Sequence, residues 1–409
     1  MDFLHQEVIE VEDMAIARIN GSMIAWARRR AGASIDALAT KSISPQEIAA
    51  WEKGDDFPNE TEAQKLADRL HIGYPMLFMT VVPPDEKINV PDLRTVSGIP
   101  VSNPSLDFLK VLDDTAARQE WYRSERIDDD KSPLKFVGKF SLKTSTQIVA
   151  EDMRSVLSLD AHTRNDCKDF EAFLKVLVAR AERSGVLVMR SSVVGHDPTR
   201  TLKVSEFRGF ALIDAFAPVI FINDQDAKAA QIFTLAHELA HIWIGEGGVS
   251  DRKPDDRKNS KNIIELFCDQ VAAELLVPAK EFAPYWHKQQ SIDQNVRSAS
   301  LHFRVSSLVV LRRAKDANLI PLGIYYSKVE EQYDAYRRRE KEKLEQQKKR
   351  ERKGGNFWAS FDLRNSLTFN NAVVASLEAQ RTTYTEAASL FGVGLKATVN
   401  YLKRVGANH

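Results

Sequence analysis

The sequence predicts a mostly helical α+β protein of several domains. Three observations predict it. Apolar residues recur at helical spacing over most of the 409-residue chain, a short central stretch switches to runs of β-branched and aromatic residues, and a proline-rich interval follows the first helical block. The apolar fraction of 43% is ordinary for chains that bury real cores, and the length suggests two to three domains. Basic and acidic residues balance at 57 each, which excludes a surface covered throughout with phosphate-binding cations but permits a local basic patch. Two cysteines, Cys167 and Cys268, are too few for a secreted disulfide framework. The acidic start MDFLHQEVIEVEDM lacks the pattern of a signal peptide, and the longest apolar stretch, Met76–Val82, is far below the ~18–20 residues of a membrane span. A cytoplasmic protein without a membrane segment is the expectation.

Taken in order, residues 14–82 read as four or five short helices, each broken by Gly, Pro or a capping residue. The interval 83–105 is a linker, since residues 81–105 hold five of the fifteen prolines. Residues 106–182 predict three helices from segments such as LDFLKVLDDTAARQEWYR and CKDFEAFLKVLVARAERSG. The runs GVLVMRSS, FRGFALID and APVIFIN then predict a small sheet. Helical spacing returns in AAQIFTLAHELAHIWIG, and the polar loop EGGVSDRKPDDRKNSK leads to a second apolar helix, NIIELFCDQVAAELLVP, stopped by Pro278. Two further short helices are expected over 290–320. Residues 326–353 predict a solvated charged helix ended by Gly354-Gly355, and 354–409 a small helical unit.

The strongest chemical signal is His237-Glu238-Leu239-Ala240-His241, an H-E-x-x-H within a helical segment. Residues four apart share a helix face, so both imidazoles reach one metal, with Glu238 beside them to take a proton from an activated water. A plain surface His/Glu cluster is the competing reading. The setting favours the metal: apolar neighbours such as Ile232, Leu235, Leu239 and Trp243 imply burial, and buried polar groups need partners. The preceding strand APVIFIN suits an extended substrate held beside the site. Catalytic zinc needs a third protein ligand, and Glu265 follows 24 residues after His241 on an apolar helix, with an exposed helix-start carboxylate at the positive dipole end as the competing reading. Asp269, one turn further, is placed to accept the free N–H of a ligand histidine, though an ordinary surface role is open to it. Cys268 reads as a small core residue, and His196 and His302 as ordinary histidines.

The order APVIFIN, FTLAHELAH, ELFCDQVAAELLVP and HFRVSSLVVLRRAKDANLIP resembles the ImmA/IrrE metallopeptidases, in the long form that carries a Cro/repressor-type helix-turn-helix at its N-terminus. GGNFWASFDL and YTEAASLFGVG mark the tail of that form. Against the family's E-x-x-A-N/D-x-F-A-A-x-L-L-x-P pattern, Cys268 and Val271 depart by small apolar exchanges. The resemblance implies a zincin-like domain over 106–325 that holds Zn2+, or another divalent cation such as Mn2+, on His237, His241 and Glu265 with Glu238 as base. It also implies a narrow protein client: a DNA-binding repressor, a toxin or an antitoxin.

The N-terminal block resembles the helix-turn-helix through ALATKSISPQEIAAWEKGDDFP. Its candidate recognition helix, Ser44–Trp51, offers Gln46 but no Arg or Lys for a guanine, and residues 14–80 carry eight bases and eight acids. Arg28, Arg29 and Arg30 are the candidate phosphate contacts; a charged outer face explains them equally well. DNA is therefore one expected partner and protein docking the alternative. Two functions stand: an endopeptidase cutting one regulatory partner, or a non-proteolytic antitoxin or transcription regulator that uses the scaffold to bind. By segment, residues 1–13 carry five acids and no base, whereas 328–353 run to eleven bases and seven acids.

Overall fold

A computed structural model of the chain describes residues 16–30, 33–40, 42–70, 72–83, 104–198, 200–245, 249–250, 263–349 and 357–406. The acidic start, the linker over 84–103, most of the loop 246–261 and the Gly354-Gly355 stop lie outside the described residues. Two compact units are distinguished, one built of residues up to Asn89 with Asn103–Leu109, the other of the remaining chain.

The first unit contains α1 (Gly21–Arg30), α2 (Ile35–Leu38), α3 (Pro45–Lys53), α4 (Glu60–Leu70) and a single 3-10 turn at Tyr74–Phe78. Its core gathers Met23, Ile24 and Trp26 from α1, Ile48 and Trp51 from α3, and Leu66 and Leu70 from α4. A capping box starts α3: the Ser44 hydroxyl accepts from the Glu47 amide, and the Glu47 carboxylate accepts from the Ser44 amide at 2.7 Å. Arg28 ties α1 to α3 by donating to both oxygens of Glu52, at 2.6 and 3.0 Å.

The second unit takes in α5 (Leu106–Asp128) from Lys110 onward, then α6 (Thr146–Val156), α7 (Ala161–Asn165) and α8 (Phe170–Ser184). Four helices thus stand where three were expected. The extra one, α7, is nucleated by Asp160, whose carboxylate caps Thr163 while the Thr163 hydroxyl returns the bond. Then come β1 (Leu187–Ser191), β2 (Gly209–Leu212), β3 (Val219–Asn223), α9 (Lys228–Ile244) and β4 (Val249–Ser250). The sheet order is β1-β3-β2-β4, with β1 and β3 parallel and the β2 pairs antiparallel. The strands β1, β2 and β3 are buried at every position, which explains their unbroken apolar runs. The brief β4 adds a fourth strand from within the polar loop.

Helix α9 is apolar nearly all round because it is covered on all sides, by β2 and β3 on one face and by α6, α8 and α10 (Ile263–Leu276) elsewhere. Burial of Ile232, Leu235, Leu239, Ile242 and Trp243 stabilises this arrangement by roughly 1.5–3 kcal/mol per large side chain. Trp243 stacks on Phe136 with centroids 4.2 Å apart and donates its indole N–H to Asp152 at 2.9 Å. Amides of Gly138 and Phe140 reach the Ile242 and Trp243 carbonyls at 2.9 and 3.1 Å, satisfying the end of α9.

The remainder is helical: α11 (Ala279–Tyr285), α12 (Ile292–Phe303), α13 (Ser307–Asp316), α14 (Leu322–Lys349), α15 (Phe357–Asn365), α16 (Leu367–Glu378), α17 (Tyr384–Phe391) and α18 (Leu395–Val405). Helix α14 runs without a break across residues 325–326, and its Tyr325 and Val329 are buried in the same core as α9 and α10. Helix α15 lies along β1. Ser366 and Thr368 donate to Glu182 on α8, and Arg381 pairs with Glu125 and Asp129 on or just beyond α5, so the tail is joined to this unit at several points.

Candidate metal centre

Two helices deliver the site. On α9, His237 and His241 stand one turn apart, and α10 brings Glu265 in its first turn against them. Strand β2 crosses over the same stretch at Gly209. A Cβ there would fall 2.6 Å from Thr234 Cγ2 and 2.8 Å from the Phe221 carbonyl oxygen, with Glu238 Cγ next at 3.7 Å. Only glycine admits so close an approach of strand and helix.

The three ligand-type side chains converge on one point. Nε2 of His237 lies 3.0 Å from Nε2 of His241, and the two Glu265 oxygens lie 3.2 Å from one histidine each. All three residues and Glu238 are buried, with exposures of 2% or less. Donor atoms held ~2.0–2.1 Å from a common tetrahedral centre must sit about 3.3 Å apart. The observed spacings approach that value, and the three residues each offer one ligand atom within 4.8 Å of the others in a buried setting. The His-His-Glu group therefore fits a divalent metal ion.

Asp269 stands behind the group, its Oδ1 3.1 Å from His237 Nδ1, so the outer nitrogen of that ring faces a carboxylate while the inner one faces Glu265. Burial opposes a charge on His237, but the Asp269 and Glu265 carboxylates outweigh it and raise its pKa well above the ordinary value. For Glu265 burial likewise favours the neutral acid, yet hydrogen bonds and charge from the two histidines hold its carboxyl far below the usual range. Glu238 has no such partner. Burial pushes its carboxyl up to about 7 against the pull of the two imidazoles, and neither of its oxygens has a hydrogen-bond partner among the described residues.

The other sequence-derived candidates fall elsewhere. Cys268 is wholly buried in the core. His196 sits at the junction with the tail, and His302 stacks on Tyr285 with centroids 4.4 Å apart. Within the first unit, Arg28 is engaged by Glu52, Arg30 lies over the Trp26 ring at 5.3 Å, and Arg29 and Gln46 are exposed. Gly209 is the site residue missed by the sequence reading; an isolated glycine inside a strand pattern is its signal.

The helices that bear this group also lie in the part of the chain that a family model matches. Residues 181–315 match the IrrE N-terminal-like domain. No curated protein and no solved structure matched the chain. The IrrE-like segment runs from the end of α8 to the end of α13, so it contains the whole sheet, the H-E-x-x-H helix and the Glu265 helix. That family is of peptidase type, and the match supports the ImmA/IrrE resemblance over this part of the chain. Among the described residues no helix is long and apolar enough to cross a membrane.

Proposed function

We propose that the IrrE-like domain is a metal-dependent endopeptidase whose client is a DNA-binding repressor or a toxin–antitoxin component. His237, His241 and Glu265 hold the ion, zinc or a similar divalent cation such as manganese. When bound there, the ion supplies Lewis-acid polarisation of a water and of the scissile carbonyl. Glu238 is the proton carrier: its carboxylate oxygen takes the proton as the water oxygen attacks the peptide carbon, and gives it to the nitrogen as the C–N bond breaks. Asp269 holds the His237 ring in orientation through Nδ1.

The observation that carries this reading is the buried Glu238 carboxylate, beside a three-ligand group and without a partner of its own. A scaffold used only for binding has no physical need for such a group, whose isolation costs stability. Glu238→Gln keeps the shape and removes the base. The variant should bind about one divalent ion per chain and retain the client, identified as a co-purifying or genetically adjacent repressor or toxin, while cleavage stops. Full biological activity of that variant in cells would instead establish the non-proteolytic regulator.

A further inference from the structure

Helices α17 and α18 are joined by three residues, Gly392, Val393 and Gly394, with Gly392 in the left-handed region at φ 69°. Two short helices on a glycine-bearing three-residue turn match the connection of a helix-turn-helix, whose DNA-binding form places its second helix in the major groove. The first helix of the pair is fixed to the body of the protein. The Leu390 carbonyl accepts from Arg118 at 2.9 Å, and the Phe391 carbonyl accepts from Asn365 and His196, each at 3.2 Å. A side chain at Gly392 would press on the Arg118 guanidinium at 3.2 Å, so the turn sits close against α5.

Helix α18 is strongly two-faced. Thr398, Tyr401 and Leu402 are buried, and the Tyr401 hydroxyl donates to Asp362 at 2.7 Å. On the opposite side Lys396, Asn400 and Lys403 fall at i, i+4 and i+7 with Arg404 beside them, all exposed. The helix holds three basic residues and no acid, and none of the three makes an ion pair among the described residues. The contrast with α3 is sharp: that helix has two acids and one base, and its Glu47 is committed to the capping box.

We infer that the outer face of α18 is a binding site for double-stranded DNA, with α17–turn–α18 acting as a helix-turn-helix at the C-terminal end of the chain. Eleven residues give a rod of ~16 Å, which enters a major groove ~12 Å wide. Lys396 and Asn400, near its start, are the side chains placed to meet base edges, lysine at guanine and asparagine at adenine. Lys403 and Arg404 supply phosphate contacts, with Tyr384 and Thr385 at the exposed start of α17 as hydroxyl donors.

The test uses the full chain and a fluorescent mixed-sequence duplex of about 30 base pairs, titrated by anisotropy from about 50 to 200 mM salt. Wild type should bind with an affinity that falls steeply with salt. The exposed triple variant Lys396→Ala/Lys403→Ala/Arg404→Ala should bind at least ~100-fold more weakly at low salt, with the logarithmic salt slope shallower by about 2 to 3. Removing three other exposed lysines, Lys131, Lys135 and Lys143, controls for net charge and should leave affinity within about twofold. Absence of wild-type binding at low salt, or equal losses in the two triple variants, would overturn the inference. So would unchanged duplex affinity in the α18 variant together with loss of a protein partner, which would make the face a protein-docking surface.

Discussion

His237 is held from both ends: its Nδ1 lies 3.1 Å from Asp269 and its Nε2 lies 3.2 Å from Glu265. In the proposed centre one carboxylate would be a ligand and the other an orienter, and the two roles separate experimentally. Asp269→Ala should weaken zinc affinity by about 10- to 100-fold, and Glu265→Ala by more. Competition against a chromogenic chelator measures both. Wild-type affinity in either variant would remove that residue from the centre.

Metal removal should also register in stability. An ion bound only by the folded chain stabilises it by about 2.7 kcal/mol at a free concentration 100 times its Kd. Chelation should therefore lower the melting temperature of the wild type, and excess zinc should restore it. His241→Ala, lacking a ligand, should show a much smaller response in the same calorimetric pair.

Gly209→Ala tests the strand–helix approach. The added methyl meets the Phe221 carbonyl, which is backbone, so the strand must shift and a loss of about 1–3 kcal/mol is expected. Because the helix turn that the methyl crowds at Thr234 leads to Glu238, cleavage should fall further than stability alone explains. Stability and turnover both equal to wild type would show that the approach has slack.

The tail seat should be sensitive to acid. Arg364 donates to His196 Nδ1 at 2.7 Å, which leaves the proton on Nε2 for the Phe391 carbonyl and requires a neutral ring. Burial lowers the His196 pKa, the Phe391 hydrogen bond opposes this, and the charges of Arg364 and Arg118 lower it further. The unfolded chain then takes up this proton below about pH 6.5 while the folded chain resists, so stability is full above that pH and declines as pH falls. Melting temperatures from pH 7.5 to 5.5 should drop more steeply in wild type than in His196→Gln. Parallel curves would exclude the ring as the sensor.

Much of this arrangement is legible in the chain itself. The spacing of His237 and His241 is local, and an apolar helix bearing Glu265 and Asp269 announces a buried carboxylate, so the group can be read before it is seen. The three main strands are legible for the same reason: burial on both faces demands unbroken apolar runs. What is not legible depends on where distant segments cross. Gly209 meets Thr234 across a strand–helix contact, and Trp243 finds Asp152 91 positions away. Helix α7 is too short to show periodicity, and its start is set by the Asp160–Thr163 box. Strand β4 is two residues within a polar loop. Arg28 reads as a candidate for phosphate until Glu52, 24 residues on, is seen to take both its donors.

The packing of α15 along β1 bears on how the protein can be handled and divided. In the order β1-β3-β2-β4, β1 is a terminal strand, with one row of backbone groups that no neighbouring strand takes among the described residues. Such a border invites pairing with another copy of the chain unless something shields it. A truncation ending before Phe357 would strip that shield and leave Glu182 buried without the Ser366 and Thr368 hydroxyls. The IrrE-like part prepared alone should therefore be prone to self-association, and the tail belongs to the minimal stable unit whatever it binds.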